Sequence, residues 1–242
     1  MNKPEAVLFD LDDTLMKFDI VSDLAWKTSC DDFVRNNPVC FSNRELFECL
    51  FKIRKWYWSD PVRHKKGRND MKNARREVFG HALRELGFDD SEKIIETADG
   101  YTRLQEALWE LFDGTVEALQ SLQNLNIRMA VVTNGPSAVQ RGKLERFGIT
   151  RFFNHIIIDT EVGFSKPDAR IFQTALDRLS LPPSAVWMIG DNLEWDVMGP
   201  QQLGIFSVWN DYRQKGLPPG SSVVPDMIVG SVAEMAGNIE VL

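Results

Sequence analysis

Four aspartates, a threonine and a lysine stand at separated points of the chain, each past a short apolar run. Asp10 and Asp12 follow Ala6 to Phe9; Thr133, with Asn134 and Gly135, follows Met129 to Val132; Lys166 comes a few residues after Ile156 to Ile158; Asp191 and Asp196 follow Val186 to Ile189. Singly, each reads as a turn residue, a helix approach or a solvated charge, but four strand ends bearing such groups together point to one shared site. Phosphoryl transfer accounts for the set. A phosphate monoester is doubly charged, so a carboxylate that attacks it needs a metal and positive or N–H-bearing groups to cancel the repulsion. Asp10 is the candidate nucleophile, forming an aspartyl phosphate. The carboxylates of Asp10 and Asp191, with the main-chain carbonyl of Asp12, offer hard oxygen ligands of the kind Mg²⁺ takes. Lys166 neutralises charge, while Thr133 and the backbone N–H groups of Asn134 and Gly135 hydrogen-bond phosphoryl oxygens. If the chain leaves its strand near Asp10, Asp12 is free to act as general acid on the leaving group and then as general base on water.

The elements that must position these groups follow from patterning. The four runs, with a fifth at Phe206 to Trp209, are apolar on both faces, which suits buried strands of a parallel sheet. Helical periodicity lies between the later ones, at Val139 to Phe147 closed by Gly148 and at Ile171 to Leu179. The expected fold class is α/β, a doubly wound, Rossmann-like parallel sheet with its ligand site at the carboxyl ends of the strands. The stretch from Met16 to about Asp113 breaks this rhythm. It lacks strand runs and shows helices instead, one opened by the capping-box pattern Ser42-Asn43-Arg44-Glu45, others carrying Met71, Arg75, Val78, Ala82 and Leu86, and Ile94, Ala98, Tyr101, Leu104 and Leu108. The reading is an α/β core of residues 1–16 and 113–242 interrupted by an all-helical domain of residues 17–112, with a flexible loop at Gly216 to Pro225.

In order along the chain, Asp10-Leu11-Asp12-Asp13-Thr14-Leu15, Val131-Val132-Thr133-Asn134-Gly135, Lys166-Pro167 and Gly190-Asp191 with Asp196 resemble the four motifs of the haloacid dehalogenase-like superfamily. The resemblance implies a Mg²⁺-dependent phosphatase with Asp10 as nucleophile, Asp12 as acid/base, Thr133 and Lys166 in the second and third motifs, and Asp191 and Asp196 as metal-binding acids. It also makes the helical insertion a type-one cap, a lid over the site. The dehalogenase branch lacks the second aspartate of the first motif, so Asp12 disfavours it. Gln140-Arg141, Lys143-Leu144, Glu161-Val162-Gly163 and Lys166-Pro167-Asp168 make the chain similar to pyrimidine nucleotidases and sialic-acid phosphate phosphatases. The implied substrate is a small phosphorylated metabolite, such as a nucleotide or sugar phosphate.

Composition bounds the alternatives. The 242 residues are 43% hydrophobic and 26% charged, ordinary globular values, and the net charge of −7 argues against nucleic-acid binding by the whole surface. Asp10, Asp12 and Asp13 interrupt the first apolar run, so neither a leader nor a membrane span is expected there, and the expected location is cytoplasmic, as monomer or homodimer. Cys30, Cys40 and Cys49 form no CxxC pair and read as reduced thiols. A basic stretch from Lys52 to Arg76 reads mostly as solvated helix surface; Arg63, His64 and Arg68, expected in a loop after Pro61, are the candidates for attracting an anionic substrate. Trp56, Tyr57 and Trp58 read as helix-packing residues. A phosphomutase would use the same aspartyl phosphate. A non-enzymatic phosphoacceptor or interaction protein would need neither the second acid nor the helical insertion.

Overall fold

The computed structural model describes residues 2–242. Two compact units divide the chain, an α/β unit of Met1–Lys17 and Glu110–Leu242 and a helical unit of Phe18–Trp109. These limits lie inside the anticipated 17–112 insertion for a local reason. Met16 pairs with Leu111, and the Lys17 N–H donates to Glu110 O at 3.0 Å, so the segments entering and leaving the excursion stay with the α/β unit.

The α/β unit holds a six-stranded parallel sheet in the order β3-β2-β1-β4-β5-β6. Its strands are β1 (Ala6–Phe9), β2 (Arg128–Thr133), β3 (His155–Ile158), β4 (Val186–Gly190), β5 (Phe206–Asn210) and β6 (Met227–Val229). The first five lie on the apolar runs. β1 is central, with Phe9 beside Val131 on β2 and Ile189 on β4, and here the strand order reverses, the place in an open α/β sheet where ligand sites gather beyond the carboxyl ends. Side chains two apart share a face, so Ala6, Leu8, Ala130, Val132, Val186 and Met188 pack together against Ile171, Phe172, Ala175 and Leu176 of one helix. Phe172 is fully buried there, and truncating such a ring costs about 3–5 kcal/mol.

The helical unit comprises α1 (Asp19–Asn36), α2 (Asn43–Ser59), α3 (Pro61–Asn69), α4 (Met71–Glu85) and α5 (Ser91–Ala107). Ser42 and Glu45 form the reciprocal capping box read from the sequence. The unit has its own core, centred on Trp26, Leu50, Tyr57, Phe79 and Tyr101, with Trp26 and Tyr101 stacked 3.9 Å apart. Trp56 is exposed, while Tyr57 is buried. Cys30 and Cys49 are buried, Cys40 is exposed, and all three are free thiols. The segment after Pro61 is helix, not loop: Asp60 accepts the Arg63 N–H at 2.8 Å and Pro61 occupies the first helical turn, where its missing N–H is no loss.

Returning to the α/β unit, the remaining helices are α6 (Thr115–Asn124), α7 (Ser137–Arg146), the short α8 (Asp159–Val162), α9 (Ala169–Leu179), which carries the Phe172 contact, α10 (Gly199–Gln201) and α11 (Val232–Glu240). No helix among the described residues is long and apolar enough to cross a membrane.

Candidate active site

The β1 ladder runs one residue past the strand: the Asp10 N–H donates to Ile189 O at 2.9 Å, so the carboxylate-bearing residue is fixed by the register of β1 on β4. The chain then folds back. Asp13 takes a left-handed conformation (φ 59°), which Asp tolerates better than most residues, and its N–H donates to Met16 O at 2.7 Å. This turn carries Asp12 off the strand, as its proposed acid/base work requires.

Thr133 closes β2. Next to it, Asn134 clamps the main chain of Lys166, accepting the Lys166 N–H at 2.9 Å and donating from Nδ2 to Lys166 O at 3.0 Å. The second motif thus sets the third. Gly135 departs from expectation. Its N–H donates to Asp159 Oδ1 at 2.7 Å, so in this arrangement it is engaged by a buried acid instead of pointing to a phosphoryl oxygen. Asp159 also accepts from Thr160 N and from Ser165 Oγ, tying the Gly135 turn to the segment that leads to Lys166.

After β4 the chain makes a wide helical turn over Leu193–Met198, opened by Asn192, whose side chain accepts the Glu194 and Trp195 N–H groups at 3.0 Å each. This turn places Asp196 against Gly190, and Asp196 Oδ2 accepts the Asn192 N–H at 3.1 Å. Lys166 Nζ lies 2.5 Å from Asp10 Oδ1 and 2.6 Å from Asp196 Oδ1, with all three groups buried. Removing one member of such a buried set strands the others, at about 3–5 kcal/mol.

One lysine does not balance three acids. Single carboxylate oxygens of Asp10, Asp191 and Asp196 lie within 4.8 Å of one another. Burial raises the Asp10 carboxyl to about 7, with Lys166 opposing and Asp196 and Asp12 adding to the rise. Burial, followed by the charges of Asp10, Asp196 and Asp13, raises Asp191 to about 9. For Lys166 burial acts downward, but Asp10 and Asp196 outweigh it and the ammonium is held charged. Both Asp196 oxygens are engaged, by Lys166 and by the Asn192 N–H, whereas no hydrogen bond from the described residues reaches the Asp191 carboxylate. This oxygen-only donor set fits a small hard cation, with Asp191 and the second oxygen of Asp10 free to ligate it.

A second buried lysine was not anticipated as a site member. Lys143 Nζ on α7 contacts Asp12 Oδ1 at 2.6 Å and Oδ2 at 2.9 Å, and Gln140 Oε1 at 2.8 Å. Gln140 Nε2 is 2.7 Å from Thr133 Oγ1 and 3.1 Å from Asp12 Oδ2. The i, i+3 spacing of the two residues on one helix face is visible in the sequence; their meeting with Asp12 is not.

Within the helical unit, the basic residues are largely committed. Arg54 pairs with Asp23, Lys66 with Glu77, and Lys72 and Arg76 with Asp99. Arg63 lies 3.9 Å over the Trp56 ring and donates to Trp56 O at 2.8 Å. Arg68 is in the last turn of α3, where burial lowers its pKa. Arg75 donates to the Thr102 hydroxyl and to Gln105 Oε1.

Residues 4–204 match the family of haloacid dehalogenase-like hydrolases. The chain is 29% identical over 250 residues to the phosphoserine phosphatase of Thermus thermophilus, covering 95% of this chain and 96% of that one. It is also 29% identical over 231 residues to the pyrimidine 5'-nucleotidase YjjG of Escherichia coli, covering 95% of each. Among solved structures, the magnesium-bound HAD-hydrolase YfnB of Bacillus subtilis superposes with a TM-score of 0.76 at 24% identity, over 98% of this chain and 99% of that one. The chain belongs to the haloacid dehalogenase-like hydrolases. The two curated relatives are thus a phosphatase and a nucleotidase.

Proposed function

We propose that the protein is a Mg²⁺-dependent phosphatase that hydrolyses small phosphate monoesters through an aspartyl phosphate on Asp10. The observation that carries this reading is the placement of Asp10, which shares Lys166 with Asp196 and sits within 4.8 Å of Asp191, while the two-residue step to Asp12 supplies a second carboxylate outside that cluster. Asp10 and Asp191 would hold the ion, with the Asp12 carbonyl as a further oxygen and Asp196 orienting Lys166. When bound, Mg²⁺ would draw charge from the phosphoryl oxygens and from Asp10.

The rest is the work of the chain's own groups. Asp10 attacks phosphorus as the ester oxygen departs, and Lys166 offsets the negative charge gathered around the transferred group. Thr133 accepts a hydrogen bond from Gln140, so its hydroxyl proton is left to donate to a phosphoryl oxygen. Asp12 protonates the leaving oxygen and then takes a proton from the water that opens the aspartyl phosphate. The substrate class is a nucleotide, sugar or amino-acid phosphate, a range that includes those named for relatives of equal similarity.

The test is hydrolysis of p-nitrophenyl phosphate by the purified protein after exhaustive chelation and again with Mg²⁺ or Ca²⁺ restored. Activity should require Mg²⁺ and be poor with the larger Ca²⁺. Full activity in chelator, or a wild-type rate in Asp10→Asn, would overturn the reading.

A further inference from the structure

We infer that Lys143 and Gln140 are positioning residues for the acid/base, a fork on α7 that aims the Asp12 carboxylate and ties it to the phosphoryl-binding hydroxyl of Thr133. The inference rests on the acid/base role proposed for Asp12. Of the residues α7 buries, Gln140 and Lys143 are polar and Leu144 alone is apolar, and the two polar ones are about as buried as Leu144, at 1% and 2% exposure. Packing alone would select leucine or methionine at such positions, since a buried ammonium needs partners to offset its lost hydration.

Those partners are specific. An ammonium has three N–H donors, and the acceptors they meet around Nζ include both oxygens of Asp12, at 2.6 and 2.9 Å, and Gln140 Oε1 at 2.8 Å. A carboxylate contacted through both oxygens cannot rotate without losing a bond, so Lys143 fixes its plane as well as its position. Accepting from Lys143 at Oε1 settles which way the Gln140 amide faces. Its Nε2 must then be the donor, with two hydrogens shared among Thr133 Oγ1 at 2.7 Å, Asp12 Oδ2 at 3.1 Å and Asn134 O at 3.3 Å. One amide therefore spans the second motif and the acid/base of the first.

Gly135 makes room for this amide. A Cβ built there would come within 3.1 Å of Gln140 Cδ, and the backbone has φ +145°, a region few side chains accept. The polar fork, its buried position and the glycine that admits it are three separate features of sequence that serve one contact.

The test is a double-mutant cycle between Lys143→Met and Asp12→Asn, with kcat and KM measured on phenyl phosphate, a small substrate whose leaving group needs a proton. Lys143→Met should lower kcat by ~10²-fold, the scale of a positioned acid/base, with KM within about threefold. Lys143→Arg, which can still fork to the carboxylate, should recover at least about tenfold of that loss. In the Asp12→Asn background, Lys143→Met should cost less than about threefold more, because a residue acting through Asp12 has nothing left to aim. If the two losses multiply, Lys143 acts independently and the inference fails while the Asp12 role stands. If Asp12→Asn alone keeps the wild-type rate, the acid/base reading and this inference fall together. Should Lys143→Met lose its cooperative melting transition, Lys143→Gln replaces it in the same cycle, where the same two outcomes support or overturn the inference.

Discussion

Gly190 and Asp196 occupy one space: a Cβ added to Gly190 would lie 2.2 Å from Asp196 Cγ and 2.3 Å from its Oδ2. No rotation of a terminal atom relieves such an overlap, because Asp196 Cβ is itself 2.4 Å away. Gly190→Ala should therefore drive Asp196 off Lys166 and loosen the Asp10 contact at the same time. A displacement of about 1 Å at a reacting centre can cost ~10²-fold, so turnover of p-nitrophenyl phosphate should fall by at least that factor. A variant with more than half the wild-type kcat would show that Asp196 does not position Lys166 for catalysis.

Two acids of the site, Asp10 and the half-buried Asp191, give the metal-free protein a pH signature. Folding raises Asp10 to about 7 and Asp191 to about 9, from an unfolded value of about 3.9. Between that unfolded value and each folded value, the native state keeps protons that the unfolded chain has released, so the slope of stability with pH is negative. In chelator, the melting temperature should be favoured by these groups below about pH 4 and should decline through pH 7 for Asp10 and on toward pH 9 for Asp191. Added Mg²⁺ replaces the lost protons, so its stabilisation should be larger at pH 8 than at pH 5. Thermal melts with and without Mg²⁺ at the two pH values check both signs; equal shifts would separate the ion from these acids.

Asp12 is proposed to do two jobs with different dependence on the leaving group. p-Nitrophenolate departs with little help, whereas an alkoxide needs a proton, and the later attack by water needs a base in either case. In Asp12→Asn, rapid mixing with p-nitrophenyl phosphate should show a burst of about one p-nitrophenolate per site followed by slow turnover. Glycerol 2-phosphate should give no burst. Fast steady turnover of both would remove Asp12 from the acid/base role.

Arg63 makes a local prediction in the helical unit. Its guanidinium packs on Trp56 and donates to Trp56 O, contacts that tie α3 to the end of α2. Arg63→Ala should cost ~1 kcal/mol of stability from the lost cation–π contact and hydrogen bond. Its kcat on p-nitrophenyl phosphate should change less than about twofold, the scatter expected where no catalytic contact is removed. A large loss of that activity would assign Arg63 to substrate chemistry.

The strands were legible because a buried parallel sheet needs apolar residues on both faces, and each run stopped at a polar group that the fold then used. Ser42 and Glu45 announced their helix by a pattern that is itself the hydrogen-bonding unit. Helix α3 was not legible. Its residues are mostly basic with no apolar period, and the cap at Asp60 with Pro61 behind it, not packing, marks its start. β6 is three residues long and follows a Pro- and Gly-rich stretch, too short to show alternation. The contact of Lys143 with Asp12 spans 131 residues and requires the sheet order before it can be seen. Gly135 illustrates a different limit: it and Asp159, the acid that takes its N–H, both stand at strand ends that the sequence marks, but their pairing across 24 residues needs the order of β2 and β3 before it can be seen.

The antiparallel pairing of Met16 with Leu111 brings the start and end of the helical excursion side by side, with Lys17 N–H on Glu110 O and Phe112 N–H on Leu15 O sealing the neck. A loop whose ends already touch costs the sheet little whatever its length, since closure entropy grows by only about 0.6 kcal/mol for each doubling of the chain enclosed. The neck therefore works as an insertion port. Residues 18–109 leave and re-enter the α/β unit at one point, so by closure entropy alone a change in their length would place little demand on the register of β1 and β2.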